Sequence, residues 1–201
     1  MQPIVVWDFD GVLNANMIDG RFVWADGLQK DWGIDRDALA AHIFSPAQAQ
    51  QIMRGQLDLA DALQAFLDQA GHDIDSDTFL AYWFARDARP DAIVMAELER
   101  PGLRHVIGTN NEQRRAQFIE QEMGFGDLVD HIFASGRIGH AKPDGAFFAH
   151  IEAWSGATAT DHVLIDDTAR NVEAAHERGW QAFHFTDDTR DRLSAFLDRI
   201  G

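Results

Sequence analysis

Apolar residues along this chain fall into two rhythms. Short continuous runs alternate with longer stretches whose apolar positions recur every three or four residues. Ile4 to Asp8 (IVVWD) is the first run, and it ends in an acid. Leu103 to Gly108 (LRHVIG) follows a Pro-Gly breaker, and His162 to Asp166 (HVLID) again ends in carboxylates. Trp180 to Phe185 (WQAFHF) follows a glycine, and His131 to Ser135 (HIFAS) is a weaker fifth run. Such runs suit strands buried on both faces, as in a parallel sheet. Helical spacing marks Glu112 to Glu122, which Gly124 can end, and Asp144 to Trp154. It also marks Thr168 to Arg178, with Gly179 placed as a cap, and a tail carrying Leu193, Phe196, Leu197 and Ile200. Strands alternating with helices predict an α/β fold, a Rossmann-like, doubly wound parallel sheet.

Residues 14–90 break that alternation. Ile43, Leu57, Leu59, Leu63, Phe66 and Leu67 recur at helical spacing, and Phe79, Tyr82, Trp83 and Phe84 mark a further helix. The pattern predicts an α/β core of residues 1–13 and 91–201, with 14–90 as an all-helical insert. No internal repeat or low-complexity tract interrupts it.

Composition narrows the function classes. With 201 residues, 46% of them hydrophobic, the chain can bury one sizeable core and a small subdomain. No apolar run is long enough to span a membrane. There is no cysteine, hence no disulfide, thiol nucleophile or thiolate metal site. The N-terminus lacks the basic, then apolar, pattern of a leader, so a cytoplasmic protein is expected. The formal net charge of -16 disfavours nucleic acid and anionic membranes as partners. A small anionic substrate remains compatible if a bound cation locally reverses the field. Nothing in the sequence sets an oligomeric state.

Ligands of an open parallel sheet bind beyond the carboxyl ends of its strands. Three predicted strands end there in polar clusters: Asp8-Phe9-Asp10-Gly11, Thr109-Asn110-Asn111 and Asp166-Asp167-Thr168. Asp8 and Asp10, two apart, leave an extended chain on one face, and Gly11 permits a tight turn or close approach. Adjacent carboxylates repel unless a cation or proton intervenes, which points to a metal ligand beside an acid–base group. A calcium loop is excluded: counted from Asp8, the sixth residue is Leu13 rather than Gly, and the twelfth is Asp19 rather than Glu.

These segments together resemble the haloacid dehalogenase superfamily, in its phosphatase members with a helical cap. IVVWDFDGVL matches the first motif, VIGTNN the second, GHAKPDG the third and VLIDDTARNVEAA the fourth, in the family order, over a core from Ile4 to Phe185. The resemblance implies Mg²⁺-dependent hydrolysis of a small phosphorylated metabolite. Asp8 would be the nucleophile that forms a phosphoaspartate and a metal ligand. Asp10 would protonate the leaving group, then activate water, with its carbonyl on the metal. Thr109 would hydrogen-bond the phosphoryl group, with Gly11 and Asn110 also at the substrate, and Lys142 would neutralise charge. Asp167 would ligate the metal directly and Asp166 through water. Asn171, where many members carry an acid, would orient the metal-binding carboxylates from behind.

Plainer readings compete at several positions. Thr109 with Glu112 spells a capping box, TNNE, and Asp166 and Asp167 could cap the helix after them. Trp24, Trp32 and Trp83 could stack on a sugar or simply form the insert's core. Arg21 could meet a second anionic group or stay solvated. The DDTARN pattern is closest to members acting on sugar phosphates or other small phosphomonoesters. A phosphomutase, a 2-haloacid dehalogenase and a catalytically silent binding member are the alternatives. The insert, directly after the catalytic loop, is expected to close over the site and select substrate.

Overall fold

The computed structural model describes residues 2–18 and 21–200. In chain order it forms β1 (Ile4–Trp7), a hairpin of β2 (Met17–Ile18) and β3 (Arg21–Phe22), then α1 (Leu28–Trp32), α2 (Arg36–Ile43), α3 (Pro46–Met53), α4 (Leu59–Ala70) and α5 (Ser76–Asp87). There follow α6 (Ala92–Met95), β4 (Arg104–Thr109), α7 (Gln113–Gln121), β5 (Ile132–Ala134), α8 (Ser135–Ile138) and α9 (Gly145–Ser155). The chain closes with β6 (His162–Asp166), α10 (Ala169–Glu177), β7 (Gln181–His184) and α11 (Leu193–Leu197). None of the described helices is long and apolar enough to cross a membrane.

Five parallel strands lie in the order β5-β4-β1-β6-β7. Register aligns Val6 with Val106 and Leu164, and Trp7 with Ile107 and Ile165. Successive side chains leave opposite faces of a strand, so each strand feeds two cores. Val5, Trp7, Ile107 and Ile165 pack with Val94, Ile119, Leu193 and Leu197, on the side of α6, α7 and α11. Ile4, Val6, Val106 and Leu164 pack on the other side, with Phe147 and Ile151 of α9 and Ala175 of α10. Full burial of each such side chain contributes about 1.5–3 kcal/mol, and demand on both faces explains the unbroken apolar runs. Strand order reverses about β1, so the ligand crevice lies at its carboxyl end. Asp8 continues β1 there, and its N–H donates to the Ile165 carbonyl at 2.8 Å.

The insert departs from the all-helical expectation. It opens with an antiparallel hairpin in which Met17 pairs with Phe22 and Ile18 with Arg21. Two-residue strands are too short to show alternation, and Asp19 and Gly20 between them lie outside the described residues. The insert helices pack round a cluster of their own that includes Leu28, Ile34, Leu63 and Phe79. Trp24 and Trp83 stack at 4.2 Å, and Trp32 packs edge-on against Phe79 and Tyr82. All three tryptophans therefore pack within the insert. Acids set its helix starts: Asp58 accepts from the Ala60 N–H at 2.8 Å and Asp75 from Thr78 N–H at 2.9 Å. The outgoing and returning linkers pair with each other, Ala15 N–H donating to Arg89 at 2.8 Å and Asp91 N–H to Leu13 at 2.9 Å.

The capping box at Thr109 does not form. β4 runs on through Thr109, which pairs with Ala134, so its backbone stays extended within the sheet. Glu112 itself caps α7, accepting from the N–H groups of Arg114 at 2.7 Å and Arg115 at 2.5 Å.

Candidate active site

The three strand ends bring their carboxylates together. Asp8, Asp166 and Asp167 each place one oxygen within 4.8 Å of the others. Lys142 reaches in from the loop before α9, fully buried, with Nζ 3.0 Å from Asp8 Oδ1 and 2.6 Å from Asp166 Oδ2. Three carboxylates against one ammonium leave an excess of negative charge. Burial first, then Asp166, pushes the Asp8 carboxyl well above the usual range, against the pull of Lys142. Burial and Asp166 also raise Asp167. Burial pulls the Lys142 ammonium down, but Asp166 and Asp8 outweigh it and its pKa rises. An all-oxygen donor set with surplus negative charge suits a hard divalent cation such as Mg²⁺, so these residues fit one.

The carboxylates are not equally committed. Asp8 Oδ1 accepts from its neighbour Phe9 N–H at 2.7 Å as well as facing Lys142, and Oδ2 has no hydrogen-bond donor among the described residues. Both oxygens of Asp166 are engaged by the protein: Thr168 N–H donates at 2.9 Å, Lys142 at 2.6 Å and Asn171 to both oxygens at 3.0 and 3.2 Å. Asp167 accepts from the Thr168 hydroxyl at 3.2 Å, and its other oxygen faces Gly11. A Cβ on Gly11 would lie 2.5 Å from Asp167 Oδ2, and φ of Gly11 is +81°. Gly11 therefore supplies space; its N–H is engaged by Asn14 O at 2.9 Å and Asn16 Oδ1 at 3.3 Å, so it is not a free donor for substrate.

Thr109, at the end of β4, is buried, and its hydroxyl accepts from Asn111 Nδ2 at 2.8 Å, which leaves its proton for another acceptor. Asn110 binds the backbone of Lys142 on both sides, donating to its carbonyl at 2.9 Å and accepting from its N–H at 2.8 Å. It positions the lysine instead of standing free for substrate. Arg21 sits outside the cluster, on β3, exposed and 3.6 Å from Asp26, beside a separate hollow with Phe22 and Arg36.

A family model for haloacid dehalogenase-like hydrolases matches residues 3–179, a span that holds every one of these strand ends. The chain belongs to that family. A phosphatase of Mycobacterium tuberculosis is 34% identical over 118 residues, 57% of this chain and 53% of that protein. A sesquiterpene phosphatase of Aspergillus oryzae is 32% identical over 102 residues, 49% and 52% of the two chains. The matches thus span about half the length of these relatives. A haloacid dehalogenase family enzyme of Bacteroides thetaiotaomicron, solved with magnesium and inorganic phosphate, superposes with a TM-score of 0.75 at 16% identity, covering 92% of this chain and 94% of that one. A 2-haloacid dehalogenase of Pseudomonas syringae shares the fold too, at TM-score 0.70 and 18% identity over both full chains. Likeness at these identities is one of fold.

Around Asp10 this haloacid dehalogenase-like hydrolase carries a network that motif spacing does not disclose. Asn14 and Asn16 donate to Asp10 Oδ1 at 3.2 and 2.7 Å, and Asn111 donates to Oδ2 at 2.9 Å. Asn16 also donates to Asp87 Oδ2 at 2.9 Å, at the end of α5. Arg115, buried on α7, donates to the same oxygen at 2.6 Å and lies 3.9 Å from Asp10 Oδ1. Burial raises the Asp87 carboxyl to about 6 in spite of Arg115, and its Oδ1 is buried without a hydrogen-bond partner among the described residues. Asp10 is therefore held from the core by Asn111 and from the insert's first linker by Asn14 and Asn16. The runs of Asn in NANM and TNN were the visible signal, but only folding reveals that they converge.

Proposed function

We propose that the chain is a Mg²⁺-dependent phosphohydrolase that removes the phosphoryl group from a small phosphomonoester by way of Asp8. The observation that carries this reading is an acid, Asp10, fixed by three side-chain amides two residues from a buried carboxylate that keeps one oxygen free. An alkoxide leaving group needs a proton, and a halide does not.

The free oxygen of Asp8 attacks phosphorus while the bond from phosphorus to the ester oxygen breaks. Asp10 gives its proton to that oxygen, releasing the alcohol. Asp10, now a carboxylate, takes a proton from water as the water oxygen attacks phosphorus. The bond from phosphorus to Asp8 then breaks, freeing phosphate and restoring both carboxyl groups. Thr109 donates to a phosphoryl oxygen, and Lys142 opposes the negative charge that builds between phosphate and Asp8. Mg²⁺, held by Asp8, Asp167 and the Asp10 carbonyl, with Asp166 behind them, would offset the phosphoryl charge and align the group. Asp87 and Phe84 of the insert accept hydrogen bonds from the core residue Arg115, and from that contact the insert would cover the site.

The test is hydrolysis of an aryl phosphate before and after exhaustive chelation. Activity that vanishes with the metal and returns with Mg²⁺ is expected. Full activity without metal, or release of halide from 2-haloacids, would contradict the reading.

A further inference from the structure

A cavity of about 200 Å³ lies between insert and core, lined in part by Asp10 and Asn110. The protein already engages the polar groups on its core side. Asn110 clamps Lys142, Asn111 holds Asp10, Glu112 caps α7 and Arg115 pairs with Asp87. The insert supplies the rest of the lining. Among the described residues, Asp87 apart, no insert side chain there carries a carboxylate, hydroxyl, amide or cation. Trp24, Ile52, Trp83 and Phe84 are each at most 8% exposed and still border the cavity. Phe22 and Phe44, 37% and 39% exposed, carry the apolar lining toward solvent.

Such a wall decides between classes of leaving group. The hydroxyls of a sugar, a class that the DDTARN pattern suggested, would leave water for aliphatic carbon, aromatic faces and two indole N–H groups, with Asp87 Oδ1 as a single unengaged acceptor among the described residues. Buried polar groups left unpaired weaken binding strongly. Alkyl or aryl carbon gains from the same transfer. A dry cavity of about 150 Å³ lined by Leu, Ile and Phe takes up benzene, so about 200 Å³ has room for a group of roughly six to eight carbons. Resting on the phosphohydrolase reading above, we propose that the substrate is the phosphomonoester of an apolar alcohol, aromatic or branched aliphatic. Its carbon body would seat between insert and core, with the phosphoryl group at Asp8.

The experiment measures kcat/KM with Mg²⁺ for acetyl phosphate, for alkyl phosphates from ethyl to hexyl, and for benzyl phosphate and glucose 6-phosphate. Values are expected to rise about three- to fourfold per methylene, so that hexyl phosphate exceeds ethyl phosphate by about 10²-fold. Benzyl and hexyl phosphate should both exceed glucose 6-phosphate by at least about that factor. Acetyl phosphate has almost no body and reads the core chemistry alone. If it is hydrolysed through Asp8 while glucose 6-phosphate matches hexyl phosphate, the apolar-alcohol proposal falls and the phosphohydrolase reading stands. If acetyl phosphate and every ester are inert, both fall. Ala49→Phe fills the cavity from a half-buried position on α3. It should lower the hexyl-to-acetyl ratio of kcat/KM at least about tenfold; an unchanged ratio overturns the proposal.

Discussion

Replacing Lys142 with Met keeps most of the buried stem and removes the one cation among three carboxylates. The ammonium is wholly buried, 3.0 Å from Asp8 and 2.6 Å from Asp166. Removing one partner of a buried ion pair costs about 3–5 kcal/mol, because the remaining charge stays desolvated and unpaired. For a chain of this size each kcal/mol shifts Tm by about 2–4 °C, so the variant should melt roughly 6–20 °C below wild type near neutral pH. The pH dependence has a definite sign. Asp8 is already raised well above the usual carboxylate range by burial and Asp166, and Lys142 opposes that rise. Without the lysine it rises further. A folded-state pKa above the unfolded one means that protonation stabilises the native protein at low pH, and that this contribution is lost as pH climbs through the raised value. The Tm deficit should therefore be small near the ordinary carboxylate range and widen as pH rises. Thermal unfolding followed by circular dichroism, in chelator at about pH 5 and about pH 8, reads this directly. Added Mg²⁺ should narrow the deficit at the higher pH. A deficit below about 2 °C throughout, or one that widens on acidification, would mean that Lys142 does not offset the buried charge of Asp8 and Asp166.

Three further outcomes follow from the geometry. Asp10→Asn should cut hydrolysis of an alkyl phosphate by at least about 10² while an activated aryl phosphate still phosphorylates the enzyme, as steady-state and burst kinetics would show. Gly11→Ala puts a Cβ 2.5 Å from Asp167 Oδ2 at a φ of +81°; displacing that carboxylate should raise the Mg²⁺ concentration needed for half-maximal activity about 10–100-fold. Gly55, in the insert, has a φ of +67°, and a Cβ there would lie 2.3 Å from the Gly136 carbonyl of α8. Gly55→Ala should push the insert off the core and lower Tm by at least about 3 °C, measured by differential scanning fluorimetry.

The core was legible because strand burial writes itself locally. IVVW and VLI are apolar throughout, since both faces of a central parallel strand are covered, and the acid after each run marks the carboxyl edge. Lys142 was legible through its place before Pro143 in a motif. What escaped reading depends on contacts distant in sequence. Asn111 holds Asp10 across 101 residues, and Arg115 meets Asp87 across 28. Asn110 and Gly11 were expected at the substrate, but the fold engages Asn110 with Lys142 and uses Gly11 to make room for Asp167. The hairpin escaped because two-residue strands show no period, although Asp-Gly between them is a known turn signal. The cavity's apolar lining draws single residues from the hairpin and from several insert helices, so no window of sequence displays it.

In the proposed mechanism Asp8 receives the phosphoryl group. Mixing Asp10→Asn enzyme with Mg²⁺ and an activated aryl phosphate, quenching rapidly in acid and weighing the intact protein tests it most directly. The expected product is an adduct of one phosphoryl group, mapped by borohydride cleavage to the peptide holding Asp8 and absent from Asp8→Asn enzyme. An adduct on another residue, or turnover of the same phosphate by Asp8→Asn enzyme, would contradict it.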